Sequence, residues 1–227
     1  IGFDINSNIL IIQKRIDNQT LTYVKAFEGF KVFDFDDPVH NNPHFKEMMN
    51  HIDIVTTDTL GRKEHFDSLG TGKECIVIED CLDYGIVDLL DTPTVSNKIS
   101  WFGNYPNVQS IEWMIPHIID TKFELNLITD ARNVNVQPPI IKTQWGLDTF
   151  VNDLRQSNVC ALSHLGSDAG IKSNNKMIAS IACGVPCIVN SSRSYEELAK
   201  EFNLDYSITN DSLSLKNALN ILNDIEN

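Results

Sequence analysis

The segment GIKSNNKMIASIACGVPCIVNSS, residues 170–192, has the pattern of a polar loop, a helix, a tight turn and a buried strand. Apolar residues recur from Met177 to Ala182 at the spacing of one helix face. Gly184 followed by Pro186 is typical of a helix end. Because an apolar strand comes directly after this turn, the segment predicts one helix-strand unit of an α/β fold.

The same alternation of short strands and amphipathic helices runs along the whole chain. The first half predicts four strands, at residues 9–13, 31–36, 53–58 and 75–79. The second half predicts six strands, at residues 98–103, 123–129, 140–145, 159–165, 186–190 and 206–209. Helices are predicted between these six strands and after the last, at residues 108–120, 147–156, 174–183, 195–202 and 213–225. The alternation favours two Rossmann-like, doubly wound domains.

The domain boundary is expected between residues 90 and 91. Residues 1–90 then form a partial N-terminal domain, and residues 91–227 form a complete C-terminal domain. Only four strands fit into roughly 85 residues of the first half, whereas domains commonly have about 100–150 residues. We therefore expect the first domain to be short or incomplete, either because the chain is truncated at the N-terminus or because the protein is minimal.

Charge and composition narrow the classes of function. The chain has 18 lysines and arginines against 31 aspartates and glutamates, a formal net charge of −13, which disfavours a nucleic-acid partner. No apolar stretch approaches the roughly 20 residues that span a bilayer, and the first residues lack the features of a secretory signal. A cytoplasmic protein with at most peripheral membrane contact is expected. The five scattered cysteines predict reduced core thiols.

The polar turn before the helix at residues 174–183 is a candidate anion site. The amides of Asn174, Asn175 and Lys176 would lie in the first helical turn, where N–H groups lack intrahelical acceptors and the helix dipole is positive. Lys172 and Lys176 would add two cations. The structural alternative is that Ser173 caps the helix and both lysines are solvated.

A second feature is expected at the carboxyl edge of the same sheet. The strand at residues 98–103 ends in Gly103, which Asn104 follows, and glycine after a first strand lets the backbone approach a ligand. The sequence does not spell G-x-G-x-x-G, which weakens a dinucleotide interpretation. A Gly-Asn bend is also a common structural turn.

These features together resemble the glycosyltransferases of the GT-B fold, in particular the group 1 family. Segments of the second half are similar to the donor-binding domain of that family: WFGNYPN (101–107), TQWGLDTF (143–150), VCALSHL (159–165) and KSNNKMIASIACGVPCIVNSSRSYEEL (172–198). Segments of the first half resemble the end of the partner, acceptor-side domain: ILIIQKR (9–15), KVFDFDDP (31–38), MMNHIDIVTTDTLGRKEHF (48–66) and CIVIEDCLD (75–83). The resemblance therefore covers nearly the whole chain in order.

The resemblance implies a hexosyltransferase-like activity, of the kind used in polysaccharide biosynthesis. Such enzymes move a sugar from a nucleotide-diphosphate sugar to an acceptor hydroxyl on a glycan, a lipid or a small molecule, here with no metal and no other cofactor. The residues implied in binding the donor diphosphate are Gly103, Asn104, Lys172, Ser173, Asn174, Asn175 and Lys176. Trp145 resembles the region that contacts the nucleobase, although a core tryptophan bridging strand and helix is the alternative.

One departure from the family pattern concerns a carboxylate. Many members have two glutamates eight positions apart around the helix start, where this chain has Ile171 and Ala179. A carboxylate that would bind ribose or sugar hydroxyls is therefore missing from that position. A non-catalytic nucleotide-binding or interaction module derived from the same fold is the alternative function.

Two further groups of residues offer other chemistry. Asp34 and Asp36 spell D-x-D on one face of a strand and could hold a divalent metal, or they could simply end the strand before Pro38. His164 lies at the end of a predicted buried strand, where open α/β sheets bind ligands. It is the candidate general base, with a hydrogen-bonded scaffold role as the alternative.

Overall fold

The computed structural model describes residues 7–82, 96–130, 139–164 and 170–225. The chain divides into two compact units, Ile1–Asp80 with Gly170–Ser173, and Cys81–Ala169 with Asn174–Asn227. The boundary expected between residues 90 and 91 lies outside the described residues. Both units are α/β, and each is built on a parallel sheet.

The first unit contains a four-stranded parallel sheet. Its elements are, in chain order, β1 (Ile9–Gln13), α1 (Asn18–Ala26), β2 (Phe30–Phe35), α2 (Phe45–Met49), β3 (Ile54–Thr57), α3 (Leu60–Ser68) and β4 (Cys75–Val77). The spatial order β1-β2-β3-β4 follows the chain order. Within the described residues this sheet therefore advances in one direction, and the double winding expected for the first half is not found there.

The core of the first unit lies between its strands and helices. Phe33 and Val55 from the strands and Val24, Met48 and Phe66 from the helices are fully buried. Burial of these and the other core side chains gives this unit its hydrophobic stabilisation.

A buried ion pair and a helix cap organise α3. Arg62 is 1% exposed, and its Nε donates to Asp58 Oδ1 at 2.7 Å. Thr59 caps the helix by accepting from the Arg62 amide at 3.1 Å, and its hydroxyl donates to the Ile171 carbonyl at 3.0 Å. The second bond attaches residues 170–173 to the first unit.

The second unit contains a five-stranded parallel sheet. Its elements are β5 (Lys98–Phe102), a 3₁₀ helix (Tyr105–Ile111), α4 (Ile115–Ile119), β6 (Glu124–Thr129), β7 (Ile140–Gln144), α5 (Phe150–Arg155), β8 (Val159–Leu162), α6 (Asn175–Ala182), β9 (Cys187–Val189), α7 (Arg193–Glu201), a 3₁₀ helix (Asp205–Ser207) and α8 (Ser212–Ile225). The spatial order is β7-β6-β5-β8-β9. The chain thus winds outward from β5 in one direction and then in the other, which is the doubly wound, Rossmann-like arrangement.

Two predicted elements of the second unit differ from the structure. The expected helix at residues 108–120 is a 3₁₀ helix followed by α4, and Pro116 lies in the first turn of α4. Proline has no N–H to continue a helical ladder, so one continuous helix is disfavoured there. The expected strand at residues 206–209 is wrong: it forms a single bridge, between Ile208 and Val189, after the second 3₁₀ helix. The residues just before Ile208, which would extend the pairing along β9, are in the 3₁₀ helix instead.

Buried and half-buried polar side chains join three strands of the second sheet. Thr143 Oγ1 on β7 donates to Asn126 Oδ1 on β6 at 2.9 Å, and Asn126 Nδ2 donates to Ser100 Oγ on β5 at 3.2 Å. Ser100 also shares a hydrogen bond with Ser157. Buried polar groups are costly when unpaired, so these bonds disfavour any other register.

The helices of both units are short compared with a membrane span. The longest, α8, has 14 residues. Among the described helices, none combines the length and the apolar character that crossing a bilayer requires.

Cysteine reactivity tests the packing of both units. Cys75, Cys160, Cys183 and Cys187 are buried free thiols, whereas Cys81 is exposed. Burial raises the pKa of Cys75 and Cys183 to about 11 and that of Cys187 to about 12, and thiol reactions require the thiolate. We expect Ellman's reagent at about pH 8 to label one thiol rapidly in the native protein and four more after denaturation.

The Cys81→Ser variant is the matched control for this experiment. It should lose the rapid phase and keep the four slow thiols. Two or more rapid thiols in this variant would contradict the packing described here.

Candidate functional site

A cleft of about 440 Å³ opens at the carboxyl edge of the second sheet. Its volume lies in the usual range for small-molecule sites, about 300–1,000 Å³. Residues after three neighbouring strands and residues of two helices line it: Phe102, Gly103, Asn104, Asp130, Trp145, Leu147, Phe150, Val151, Asn175, Lys176 and Ala179. Open α/β sheets bind ligands at this edge, next to the strand from which the winding reverses, and here that strand is β5.

Gly103 and Lys176 meet at the centre of this cleft. Gly103 has φ +151°, and a Cβ built on it would lie only 2.7 Å from Lys176 Nζ. The same ammonium lies 5.2 Å from the centroid of the Trp101 ring and 5.7 Å from that of Phe102. Only glycine permits this approach. The bend after β5 and the cation on α6 are therefore in direct contact.

Helix α6 begins at the same cleft. Asn174 is its N-cap residue, and no side chain caps the helix there. The first-turn amides have no acceptor within the helix and lie at the positive end of its dipole. Asn175 and Lys176, the first two helical residues, both line the cleft. The alternative role of Ser173 as the helix cap is not found, because Asn174 occupies the cap position.

Asp130 is a cleft residue that the sequence analysis missed. It directly follows β6, and its Oδ1 accepts hydrogen bonds from the Tyr105 amide at 3.1 Å and from Thr129 Oγ1 at 3.2 Å. These bonds fix the orientation of the carboxylate at the cleft. An acidic residue at the end of the strand next to the glycine-bearing strand is a recognisable signal, which could have identified Asp130 from the sequence.

Trp145 forms part of the aromatic wall of the cleft. It directly follows β7, its amide donates to the Thr129 carbonyl at 2.9 Å, and its side chain is 43% exposed. Phe150 packs edge-on against Phe102, with ring centroids 5.1 Å apart. Trp145 is therefore available to a ligand and is not a buried core residue.

Lys172 and Ser173 belong to the first unit, unlike the other residues predicted to bind a diphosphate. Lys172 Nζ lies 3.7 Å from Asp37 Oδ1. Gly103, Asn104, Asn175 and Lys176 are brought together in the cleft of the second unit. The contacts of Lys172 and Ser173 with a diphosphate remain predictions.

His164 is held from two sides at the end of β8. Its amide donates to Asn190 Oδ1 at 2.8 Å, and Asn190 Nδ2 donates to the His164 carbonyl at 2.9 Å. Its ring stacks on Tyr195, with centroids 4.7 Å apart and planes 14° apart. Tyr195 is fully buried, and burial raises the pKa of its hydroxyl. The imidazole is therefore rigidly positioned at the carboxyl edge of the sheet.

The D-x-D carboxylates of the first unit bond to neighbouring protein groups. Asp34 accepts from Thr56 Oγ1 at 2.8 Å and from Gln13 Nε2 at 3.2 Å, and Asp36 pairs with Lys14. In the part of the chain that the structure describes, no three histidine, cysteine, aspartate or glutamate side chains are grouped to hold a metal ion.

Replacing Gly103 with alanine should strain the bend and displace Lys176. Because φ +151° is almost restricted to glycine, we expect the free energy of unfolding to fall by about 1–3 kcal/mol in urea denaturation. The control is Gly170→Ala, since no described atom lies within 4 Å of the added Cβ; its effect should be within about 0.5 kcal/mol. Equal stability of the two variants would contradict the strain expected in Gly103→Ala.

Comparison with known proteins finds no match, either among models of protein families or among curated proteins. The resemblance to GT-B glycosyltransferases rests on the sequence segments quoted above, and the function has to be argued from the geometry of the cleft.

Proposed function

We propose that the protein is a GT-B-like glycosyltransferase, which moves a sugar from a nucleotide-diphosphate sugar to an acceptor hydroxyl. Its second unit would bind the nucleotide-diphosphate sugar. The observation that carries the proposal is the contact between Lys176 and the Gly103 bend at the start of α6. A cation, a close backbone approach and the first-turn amides of a helix together suit a diphosphate.

The same groups would assist the reaction itself. A nucleoside diphosphate gains negative charge as its bond to the sugar breaks, and fixed cations and amides stabilise that charge. In comparable sites a single donor contributes about 2.7–4 kcal/mol to transition-state stabilisation. Lys176 and the first-turn amides of α6 would supply this stabilisation without a metal ion.

His164 is the proposed general base. β8 is adjacent to β5 on the side opposite β6 and β7. A donor whose base lies at Trp145 and whose diphosphate lies at Gly103 would therefore extend its sugar toward His164. The imidazole would take the proton of the acceptor hydroxyl while the acceptor oxygen bonds to the anomeric carbon and the bond from that carbon to the diphosphate breaks.

A non-catalytic binding module is the second candidate function. The observation in its favour is Ala179, which lines the cleft in the position where many members of the resembling family have a glutamate. A binding module would hold the donor and leave it unchanged, so turnover separates the two functions.

Calorimetry with UDP, GDP, ADP and CDP tests the binding proposal. We expect at least one of them to bind the wild-type protein and Lys176→Ala to bind it about 10- to 100-fold more weakly, because hydrogen bonds to charged groups contribute about 1.5–3 kcal/mol. The matched control is Lys200→Ala, an exposed lysine on α7 that should leave affinity unchanged. Unchanged affinity in Lys176→Ala, or no binding of any nucleoside diphosphate, would refute the proposal.

Lys172→Ala tests the remaining predicted cation. We expect weaker binding of the same nucleoside diphosphate, with the melting temperature of the free protein nearly unchanged, because the ion pair with Asp37 is largely exposed. Unaltered affinity would contradict the predicted role of Lys172 and leave Lys176 as the cation that binds the diphosphate.

Turnover of a bound sugar nucleotide tests the catalytic proposal. With an acceptor and EDTA present, the wild-type protein should release nucleoside diphosphate, and His164→Asn should slow this release by about 10²- to 10⁴-fold while keeping the affinity for the nucleotide. A sugar nucleotide that binds but is neither transferred nor hydrolysed would favour the binding module.

A further inference from the structure

Three neighbouring strands present three different chemical groups to the cleft in a fixed order. The groups are the indole of Trp145 after β7, the carboxylate of Asp130 after β6, and the Gly103 bend after β5, where Lys176 lies. Adjacent strands lie about 4.8 Å apart, so the indole and the bend are separated by about 10 Å along the sheet edge. The order is therefore π-face, carboxylate, cation.

A nucleoside diphosphate has a matching order of groups. An aromatic base is followed by a ribose with two hydroxyls and then by two phosphates. Base stacking suits Trp145, and phosphates suit the Lys176 cation and the start of α6. The ribose then falls beside Asp130, between the two.

The chemistry of Asp130 restricts what can lie next to it. An ionised carboxylate is only an acceptor and repels phosphate, so its partner must donate hydrogen bonds. Among the described residues, both bonds to its side chain are accepted by Oδ1. Oδ2 is the oxygen left for a ligand, and hydroxyls are the donors that lie between the base and the phosphates of a nucleotide.

We infer that Asp130 binds the ribose hydroxyls of the nucleotide and makes the cleft selective for ribonucleotides over 2′-deoxyribonucleotides. This inference rests on the proposed function, since it uses the positions of the base and the diphosphate. It also accounts for Ala179: the carboxylate missing from α6 is supplied from the end of β6.

Calorimetric affinities for matched ligands test the inference. The probes are ADP, GDP, UDP and CDP, their 2′-deoxy forms, and inorganic pyrophosphate, each with the wild-type protein and with Asp130→Asn. The asparagine keeps an oxygen for the Tyr105 amide but has no negative charge and only one acceptor oxygen. Asp120→Asn, with the same charge change at an exposed position before β6, is the control.

We expect the wild-type protein and Asp120→Asn to bind the best ribonucleotide about tenfold or more tightly than its 2′-deoxy form, the loss expected for a hydrogen bond to a charged group. In Asp130→Asn the ratio of the affinities for the ribonucleotide and its 2′-deoxy form should fall toward one. Pyrophosphate should bind this variant at least as tightly as it binds the wild-type protein.

The remaining outcomes separate this inference from the proposed function. Equal affinity of the wild-type protein for the ribo and deoxy forms would overturn the role of Asp130 and leave the diphosphate site intact. The same conclusion would follow if Asp130→Asn did not change the ratio of these two affinities. A change in base preference alone would show that Asp130 contacts the base, which also overturns it. Failure of all diphosphates and of pyrophosphate to bind would overturn the proposed function. Since equal affinities of the wild-type protein overturn the inference by themselves, the inference can be refuted even if Asp130→Asn folds poorly.

Discussion

The cleft depends on the register of β5, β6 and β7, which the hydrogen bonds from Thr143 to Asn126 and from Asn126 to Ser100 help to fix. In a parallel sheet the carboxyl ends of the strands reach the same edge, but which residues stand there is decided by register. A slip of one residue would turn every side chain to the opposite face. It would also leave polar groups buried without partners, which is a strong penalty in an apolar sheet.

The contact between Gly103 and Lys176 joins the two sides of the second sheet, the side of β5, β6 and β7 and the side of β8 and β9. One residue follows β5 and the other begins α6, the helix that connects β8 to β9. The Lys176 ammonium lies 5.2 Å from the centroid of Trp101, a fully buried ring, and this contact helps to hold it in position before any ligand arrives. Such preorganisation lowers the entropic cost of binding, because the cation need not be ordered by the ligand.

The strands could be predicted well from the sequence, because continuous apolar runs bounded by turn residues have few alternative structures. β1 has the predicted bounds, residues 9–13. The single bridge at Ile208 could not be predicted in the same way, since the residues before it form a 3₁₀ helix and do not pair with β9.

Half of the candidate site could also be predicted, and the rest depends on tertiary structure. Gly103 and Lys176 are identified by local patterns, whereas the position of Asp130 after β6 becomes a signal only when β6 is placed beside β5. Lys172 in the turn before the helix and Lys176 in its first turn are expected from the sequence to act together as two cations. Because α6 begins at Asn175, Lys172 precedes the helix and lies with Asp37 instead.

The one-way winding of the first sheet has a consequence for the stability of its unit. Right-handed crossovers that all advance in one direction put their helices on the same face. On the opposite face Ile11 of β1 and Ile76 of β4 remain 67% and 42% exposed. Such side chains are hydrated in both the folded and the unfolded chain, so they contribute little to the folding free energy. Among its described residues, this unit is therefore stabilised by a one-sided core, the layer between the sheet and its own helices.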